Sequence, residues 1–179
     1  MNKIRLKDKE FQIYIHYEDI YQSIKQIASQ INHDFQDKGT PVFLSILNGA
    51  FMFTGDLFKE LQIDTHLSFV KFASYQGMSS SGDVKELIGL NEDLSGKHVI
   101  VLEDIVDSGL TIRMLSAEIQ KYNPQSLKIA TLLLKPDVYK EPIPLDYVGM
   151  EIPNDFIVGY GLDYDGLGRN LKDIYQVIE

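Results

Sequence analysis

The sequence predicts an α/β fold with one mainly parallel sheet. Apolar runs alternate with segments whose apolar residues recur every three or four positions, an order typical of strand and helix units in a parallel sheet. The run PVFLSIL, residues 41–47, is almost wholly apolar, as expected for a strand buried on both faces. A length of 179 residues suits a single domain, residues 1–179, with a substantial core.

Each element is indicated by its own pattern. Ile20, Ile24, Ile27 and Ile31 recur at helical spacing, which predicts an amphipathic helix over residues 17–37. Two further helices are expected, one after a turn at residues 48–49 and one over residues 110–122. Strands are expected over residues 41–47, 65–75, 84–90, 99–102, 127–134, 147–152 and 156–160. In such sheets ligands bind beyond the carboxyl ends of the strands.

Composition excludes several classes of function. The chain has 17 Lys plus Arg against 26 Asp plus Glu, a net charge of −9, so it lacks the basic surface of a nucleic-acid-binding protein. It has no Cys, which excludes disulfides, thiolate metal ligands and a thiol nucleophile. No apolar segment has the length of a membrane span, and the first residues do not resemble a signal peptide. We therefore expect a cytoplasmic protein that binds neither nucleic acid nor membrane.

The stretch VIVLEDIVDSGLTI, residues 99–112, runs from a strand through three acids and a glycine into a helix. If Asp107 or Ser108 were only a helix N-cap, one residue would be explained, but the adjacent acids Glu103 and Asp104 would not. Alternatively, the N–H groups of residues 108–111 bind a phosphate, and Gly109 allows its close approach. The acids must then address other parts of the same ligand.

Electrostatics limits what those acids can face. A carboxylate about 6 Å from a phosphate charge is repelled by roughly 3 kcal/mol, more than the ~1 kcal/mol that a helix N-terminus contributes. Adjacent carboxylates are, however, good acceptors for vicinal hydroxyl groups, and a divalent cation bound through ligand oxygens would offset the remaining repulsion. The loop therefore suits a phosphorylated sugar with magnesium.

At these residues the chain resembles a known family. VIVLEDIVDSGLT is similar to the phosphoribosyl-pyrophosphate-binding signature of the type I phosphoribosyltransferases. LNGAFMF, SYQGMSSSGDV, LLLKP and DYVGMEIPNDFIVGYGLDYDGLGRNL follow in the order of the hypoxanthine-guanine phosphoribosyltransferase subfamily. The resemblance implies a central, mostly parallel twisted sheet flanked by helices, with a small hood over the base site formed from N-terminal and C-terminal segments.

The resemblance also implies an activity. Ribose 5-phosphate would pass from phosphoribosyl pyrophosphate to hypoxanthine, and to guanine, giving IMP or GMP and releasing pyrophosphate in a purine salvage reaction. Mg²⁺ is the implied cofactor, and a homodimer or homotetramer is the implied assembly. Closure of a loop over the site, beginning at Ser74 and Tyr75 and continuing through residues 76–83, would keep water from the sugar cation.

Roles carry over to individual residues. Asp107 would be the general base, and Glu103 and Asp104 would bind the ribose hydroxyls. The implied 5′-phosphate loop consists of Asp107, Ser108, Gly109, Leu110 and Thr111. The implied pyrophosphate contacts are Leu47, Asn48, Gly49 and Arg169. The implied purine contacts are Lys135, Phe156, Ile157 and Asp163, and the implied metal ligands are Asp163, Glu103 and Asp104.

The chain departs from the family pattern in two places. Asn48 stands where many members carry Lys or Arg, so the pyrophosphate contact would depend on backbone N–H groups, in a loop where the family implies a strained or cis peptide. Gly166 and Gly168 stand where relatives often have larger residues, which affects the placement of Arg169.

Two alternative functions remain open at this stage. A non-catalytic regulator on the same fold would need a basic face or an added module, and the sequence shows neither. The same enzyme class acting on xanthine is the other alternative. An ammonium group at Lys135 can donate to a 6-oxo group but cannot accept from a 6-amino group, so it favours 6-oxopurines without ranking them.

Overall fold

The structure is a computed structural model that describes residues 3–75 and 84–178. Its elements, in chain order, are β1 (Lys3–Leu6), β2 (Lys9–Ile15), α1 (Tyr17–Phe35), β3 (Val42–Ile46), α2 (Phe51–Glu60), β4 (His66–Tyr75), β5 (Val84–Ile88), β6 (His98–Val106), α3 (Leu110–Gln120), β7 (Ser126–Leu134), β8 (Tyr147–Glu151), β9 (Ile157–Val158) and β10 (Ile174–Ile178). They form two sheets, so the predicted mixture of helices and strands is confirmed.

The larger sheet has the strand order β5-β4-β3-β6-β7-β8. Strands β4, β3, β6, β7 and β8 are mutually parallel, and only β5 pairs antiparallel, at the edge. The predicted mainly parallel central sheet is therefore confirmed. Because all the parallel strands run the same way, their carboxyl ends meet at one edge of the sheet.

Helices cover both faces of this sheet. Phe43 of β3 packs in one cluster with the apolar faces of α1 and α2, whereas its neighbours Val42 and Leu44 pack in another with Leu115 and Ile119 of α3. Successive side chains of a strand point to opposite faces, so an unbroken apolar run is what a strand between two helix layers requires. None of the described helices is both long and apolar enough to span a membrane.

The smaller sheet is antiparallel, in the order β1-β2-β10-β9. Its strands come from the two ends of the described chain, and its core contains Phe11, Val158 and Tyr175. β1, β2 and β10 were not predicted from the sequence. Alternating apolar residues, as at Phe11 and Ile13 in KEFQIYI, were a usable signal for a half-buried strand.

One strand boundary differs in a way that matters for the site. β6 was expected to end at Leu102, with the two acids on a loop, but pairing with β7 continues through Glu103, Ile105 and Val106. Continued pairing keeps the backbone hydrogen-bonded, and it places Glu103 and Asp104 on opposite sides of a strand.

Strand β9 is shorter than expected, because the backbone turns at residues 159–161, all with positive φ.

Candidate active site

A cleft of about 420 Å³ opens at the carboxyl ends of β3, β6 and β7. It is lined by Gly49, Asp104, Ile105, Asp107, Lys135, Asp155, Phe156, Ile157, Leu162, Asp163 and Arg169. Eight of these eleven were predicted site residues, drawn from four separate stretches of the sequence. Chain folding therefore gathers them where a parallel sheet is expected to bind its ligand.

The two acids of β6 occupy different environments. Glu103 is buried, and burial together with the neighbouring Asp104 charge raises the pKa of its carboxyl well above the usual range. Asp104 lines the cleft, and burial raises its pKa to about 6 although hydrogen bonds from the backbone and the charge of Arg169 oppose the rise. Asp104 is thus the acid of the pair that a ligand in the cleft would meet directly.

The predicted phosphate loop leads from β6 into α3. Asp107 Oδ1 accepts the backbone N–H of Ser108 at 2.5 Å and lies 3.3 Å from its hydroxyl. Gly109, with φ of 85°, is the N-cap of α3 and has no side chain to cap it. The N–H groups of the first helical turn are left without a partner inside the helix, and they form a site suited to an anion.

The loop after β3 carries the cis peptide bond Leu47–Asn48, in agreement with what the family resemblance implied. Gly49 lies so close to Asp104 that an added Cβ would collide with the Asp104 carboxylate. A Cβ on Gly161 would collide in turn with the carbonyl oxygen of Gly49. Two glycines therefore allow the strand-end loop, the acid of β6 and a C-terminal loop to meet.

An ammonium group and an aromatic ring lie on the other side of the cleft. Lys135 Nζ donates to the carbonyl oxygen of Asp155 at 2.8 Å and to Asn154 Oδ1 at 3.3 Å. Phe156 is 44% exposed although it is a large apolar residue, and its ring packs against Tyr164 at 5.6 Å between centroids. An exposed ring beside a fixed donor is suited to a flat heterocycle with an oxo group.

Asp163 and Arg169 pair with each other across the C-terminal loop. Arg169 Nη2 lies 2.5 Å from Asp163 Oδ1, and its Nη1 donates to the Gly161 carbonyl at 2.7 Å. Asp163 Oδ2 accepts the backbone N–H of Gly166 at 2.7 Å. The backbone bonds to Gly161 and Gly166 fix the geometry of the pair. Both side chains are about 29% exposed and line the cleft.

The predicted metal ligands do not form a ready-made cage. In the part of the chain that the structure describes, the group of three candidate ligands within 4.8 Å of one another is His16, Glu18 and Asp173. Those side chains are away from the cleft lining and already pair, Asp173 with the Tyr17 N–H and Glu18 with Lys172. Glu103, Asp104 and Asp163 are thus separate carboxylates rather than a three-ligand cluster.

Some predicted residues lie outside the cleft lining. They are Leu47, Asn48, Glu103, Ser108, Gly109, Leu110 and Thr111. Ser74 and Tyr75 end β4, opposite Lys85 and Val84 of β5, and the predicted closing segment, residues 76–83, lies outside the described residues.

Three lining residues were not predicted, namely Ile105, Asp155 and Leu162. Each adjoins a predicted residue in the sequence, and that adjacency was the only signal for them. Asp155 contributes its backbone carbonyl, a group that every residue type has and that no sequence pattern can mark.

Comparison with known proteins gives a consistent result. Residues 14–165 match the family model of the phosphoribosyl transferase domain. The hypoxanthine-guanine phosphoribosyltransferase of Mycobacterium tuberculosis is 40% identical over 163 residues, covering 88% of this chain and 81% of the relative. The hypoxanthine phosphoribosyltransferase of Escherichia coli is 40% identical over 162 residues, covering 89% and 91%.

A solved structure agrees with these sequence relatives. The crystal structure of a hypoxanthine-guanine phosphoribosyltransferase from Bacillus anthracis superposes with a TM-score of 0.82 at 35% identity. The match covers 94% of this chain and 97% of that one. The similarity therefore extends over most of both chains.

Proposed function

The chain belongs to the phosphoribosyl transferase family, and from this premise we propose that it is a purine salvage enzyme that transfers ribose 5-phosphate from phosphoribosyl pyrophosphate to hypoxanthine or guanine. The products are IMP or GMP and pyrophosphate. The observation that carries the proposal is one cleft that combines a strand-end acid, an exposed ring and a fixed ammonium group, and that reaches Asp107, just before the N-terminus of α3.

Each part of the substrates has a partner in this arrangement. The 5′-phosphate binds the N–H groups at the start of α3, whose N-cap is Gly109. Asp104 accepts hydrogen bonds from the ribose hydroxyls, with Glu103 behind it. The purine stacks on Phe156, and Lys135 donates to its 6-oxo group, which disfavours a 6-amino purine.

Asp107 is the proposed general base. The bond from the anomeric carbon to a purine ring nitrogen forms as the bond from that carbon to the pyrophosphate oxygen breaks. The imidazole-ring proton of the purine moves to the Asp107 carboxylate, and the charge that develops on the sugar is met by the nearby carboxylates. Asp107 is suited to this role because it lines the cleft beside both the phosphate loop and the purine side.

Magnesium is the proposed cofactor, and the donor set fits it. Mg²⁺ prefers oxygen ligands, keeps several waters and is usually held by one or two carboxylates together with substrate phosphates. Asp104 and Asp163 both line the cleft and offer the carboxylate oxygens that this mode of binding uses. When bound with substrate, the ion would neutralise phosphate charge in a cleft lined by four carboxylates and only two cationic side chains.

An assay with each purine separately tests the function. The protein is incubated with phosphoribosyl pyrophosphate, Mg²⁺ and hypoxanthine, guanine, xanthine or adenine, and nucleotide formation is followed. We expect IMP and GMP, and no AMP; absence of product from every 6-oxopurine would contradict the proposal. Omitting Mg²⁺ tests the cofactor in the same assay.

A matched pair of variants tests the role of Lys135. Lys135→Met removes the donor to the 6-oxo group and should raise the KM for hypoxanthine about tenfold or more, the equivalent of at least about 1.4 kcal/mol. Lys128→Met is the control, because Lys128 lies in the same strand region but pairs with Asp34 and Asp146. Equal effects of both substitutions would argue against the contact.

We also propose a homodimer or homotetramer, on the basis of the family resemblance. The exposed aromatic side chains Phe51 and Phe69 offer apolar surface for a subunit contact. Sedimentation velocity tests this proposal, and a monomer at assay concentrations would contradict it. The cytoplasmic location expected from the sequence stays a prediction.

A further inference from the structure

A buried carboxylate outside the cleft joins three parts of the chain. Asp56, on α2, is 8% exposed. Its Oδ2 accepts the hydroxyl of Tyr160 at 2.6 Å and that of Tyr17 at 3.2 Å, and its Oδ1 accepts Lys59 Nζ at 2.7 Å. The mechanism proposed above uses none of these groups, yet a buried charge needs such partners to be tolerated at all.

Tyr160 anchors the loop that carries Asp163 and Arg169. It is 1% exposed and has a φ of 49°, between Gly159 and Gly161, which also have positive φ. A non-glycine residue with positive φ is uncommon, and the surrounding structure must hold it there. The hydroxyl bond to Asp56 and the backbone bond from the Tyr160 N–H to the Leu171 carbonyl at 2.9 Å do so.

The anchored backbone contacts the loop after β3. Gly161 lies against the carbonyl of Gly49 so closely that no Cβ would fit between them. Gly161 also exchanges hydrogen bonds with Arg169, donating its N–H to the Arg169 carbonyl at 3.0 Å and accepting from Nη1 at 2.7 Å. The distance between the Arg169–Asp163 pair and residues 47–49 therefore depends on where Tyr160 is held.

We propose that Asp56 and Tyr160 are positioning residues that hold residues 159–169 against residues 47–49 and so set the affinity for the pyrophosphate-bearing substrate. This inference rests on the proposed function. Asp56 lies on the helix that follows residues 47–49, so its bond to Tyr160 connects the two loops on the pyrophosphate side of the cleft.

The purine side of the cleft is held by different contacts. Ile157 and Val158 pair with Gln176 and Tyr175 of β10, and the carbonyl of Phe156 accepts the N–H of Val177 at 3.0 Å. These bonds do not pass through Asp56. Loss of the Asp56–Tyr160 bond should consequently weaken binding of phosphoribosyl pyrophosphate and of pyrophosphate, and leave the purine contacts of Lys135, Phe156 and Ile157 unchanged.

Tyr160→Phe tests the inference, with Tyr147→Phe as its matched control. Tyr147 is 2% exposed and donates to Asp34 at 2.7 Å, so each substitution removes one buried tyrosine hydroxyl from one aspartate. We expect Tyr160→Phe to raise the KM for phosphoribosyl pyrophosphate about tenfold, which corresponds to about 1.4 kcal/mol, with the KM for hypoxanthine unchanged. Tyr147→Phe should change neither. Equal changes in both KM values, or the same change in both variants, would overturn the inference.

Asp56→Asn adds a conservative variant. Its amide oxygen can still accept the Tyr160 hydroxyl, although the charge that also attracts Lys59 is lost. The KM for phosphoribosyl pyrophosphate should therefore lie between those of the unchanged protein and Tyr160→Phe. A larger increase than in Tyr160→Phe, with an unchanged KM for hypoxanthine, would assign the effect to Asp56 alone and overturn the role given to Tyr160.

Hydrogen exchange separates this inference from the proposed function. Without any substrate, the amides of residues 159–169 should exchange faster in Tyr160→Phe than in the unchanged protein, and those of residues 157–158 should not. If the unchanged protein forms no nucleotide, the proposed function fails, whereas unchanged exchange at residues 159–169 overturns the positioning role.

Discussion

Asp107 has two tasks that require different properties of the same carboxyl group. Its Oδ1 holds the turn by accepting the N–H of Ser108, which any oxygen acceptor can do. Its proposed role as base requires a negative charge that can receive a proton. An amide in its place would keep the first property and lose the second.

Asp107→Asn should therefore lower kcat for IMP formation by about 10²- to 10⁴-fold, the usual contribution of general-base catalysis. The KM for phosphoribosyl pyrophosphate should change little, because the amide oxygen still accepts the Ser108 N–H. Steady-state kinetics measures both constants. An unchanged kcat would remove Asp107 from the role of base.

At the scale of elements, the start of α3 depends on the segment between β7 and β8. The backbone N–H of Lys140 donates to the Ser108 carbonyl at 3.4 Å, and Glu141 pairs with Arg113 of α3 at 3.2 Å. A Cβ on Gly109 would lie 2.5 Å from the ring of Tyr139. This segment follows Lys135 directly, so it links the purine side of the cleft to the phosphate side.

Gly109→Ala should weaken phosphate binding as well as folding. The left-handed backbone alone costs about 1–2 kcal/mol for a residue with a Cβ, and the collision with Tyr139 must also move the loop. Gly96→Ala is the control, since Gly96 also has positive φ but no atom within 4 Å of the added Cβ. Urea unfolding and the KM for phosphoribosyl pyrophosphate give the readouts. A KM increase in both variants would show that backbone strain, rather than the Tyr139 contact, is responsible.

Across the whole molecule, the buried Asp56 links α1, α2 and the C-terminal loop through Tyr17, Lys59 and Tyr160. Burial opposes ionisation, but the hydrogen bonds from Lys59 and Tyr160 hold the pKa of this carboxyl below its usual value of 3.8. Because the folded pKa is the lower one, the stabilisation is fully present above the unfolded pKa. It is lost as the pH falls through the folded pKa.

Asp56→Asn should therefore destabilise the protein at pH 7 by about 1.5–3 kcal/mol, the range for hydrogen bonds to a charged group. The difference from the unchanged protein should begin to shrink below about pH 4, where Asp56 of the unfolded chain starts to bind a proton, and should continue to shrink until the folded pKa is passed. Urea unfolding at a series of pH values measures it. A difference that stays constant down to pH 3 would contradict the assignment of the stabilisation to the charged form.

Elements that depend on interactions between residues near in sequence were predicted, and elements that depend on distant partners were not. Strands such as β3 and helices such as α1 were predicted within a few residues, because apolar periodicity is a local property that burial enforces. The extent of β6 was wrong, because its last residues pair with β7, a partner distant in sequence. β10 was missed for the same reason, since its sheet needs strands from the opposite end of the chain.

The sequence by itself determined the α/β class, the acidic motif of residues 103–107 and the family to which the chain belongs. These features are predictable because apolar periodicity and a contiguous motif both consist of residues that are close together in the sequence. Only the tertiary structure decided that Glu103 is buried while Asp104 faces the cleft, and that Tyr160 reaches Asp56. Strand pairing and the packing of distant segments set those positions, and no single residue type predicts either of them.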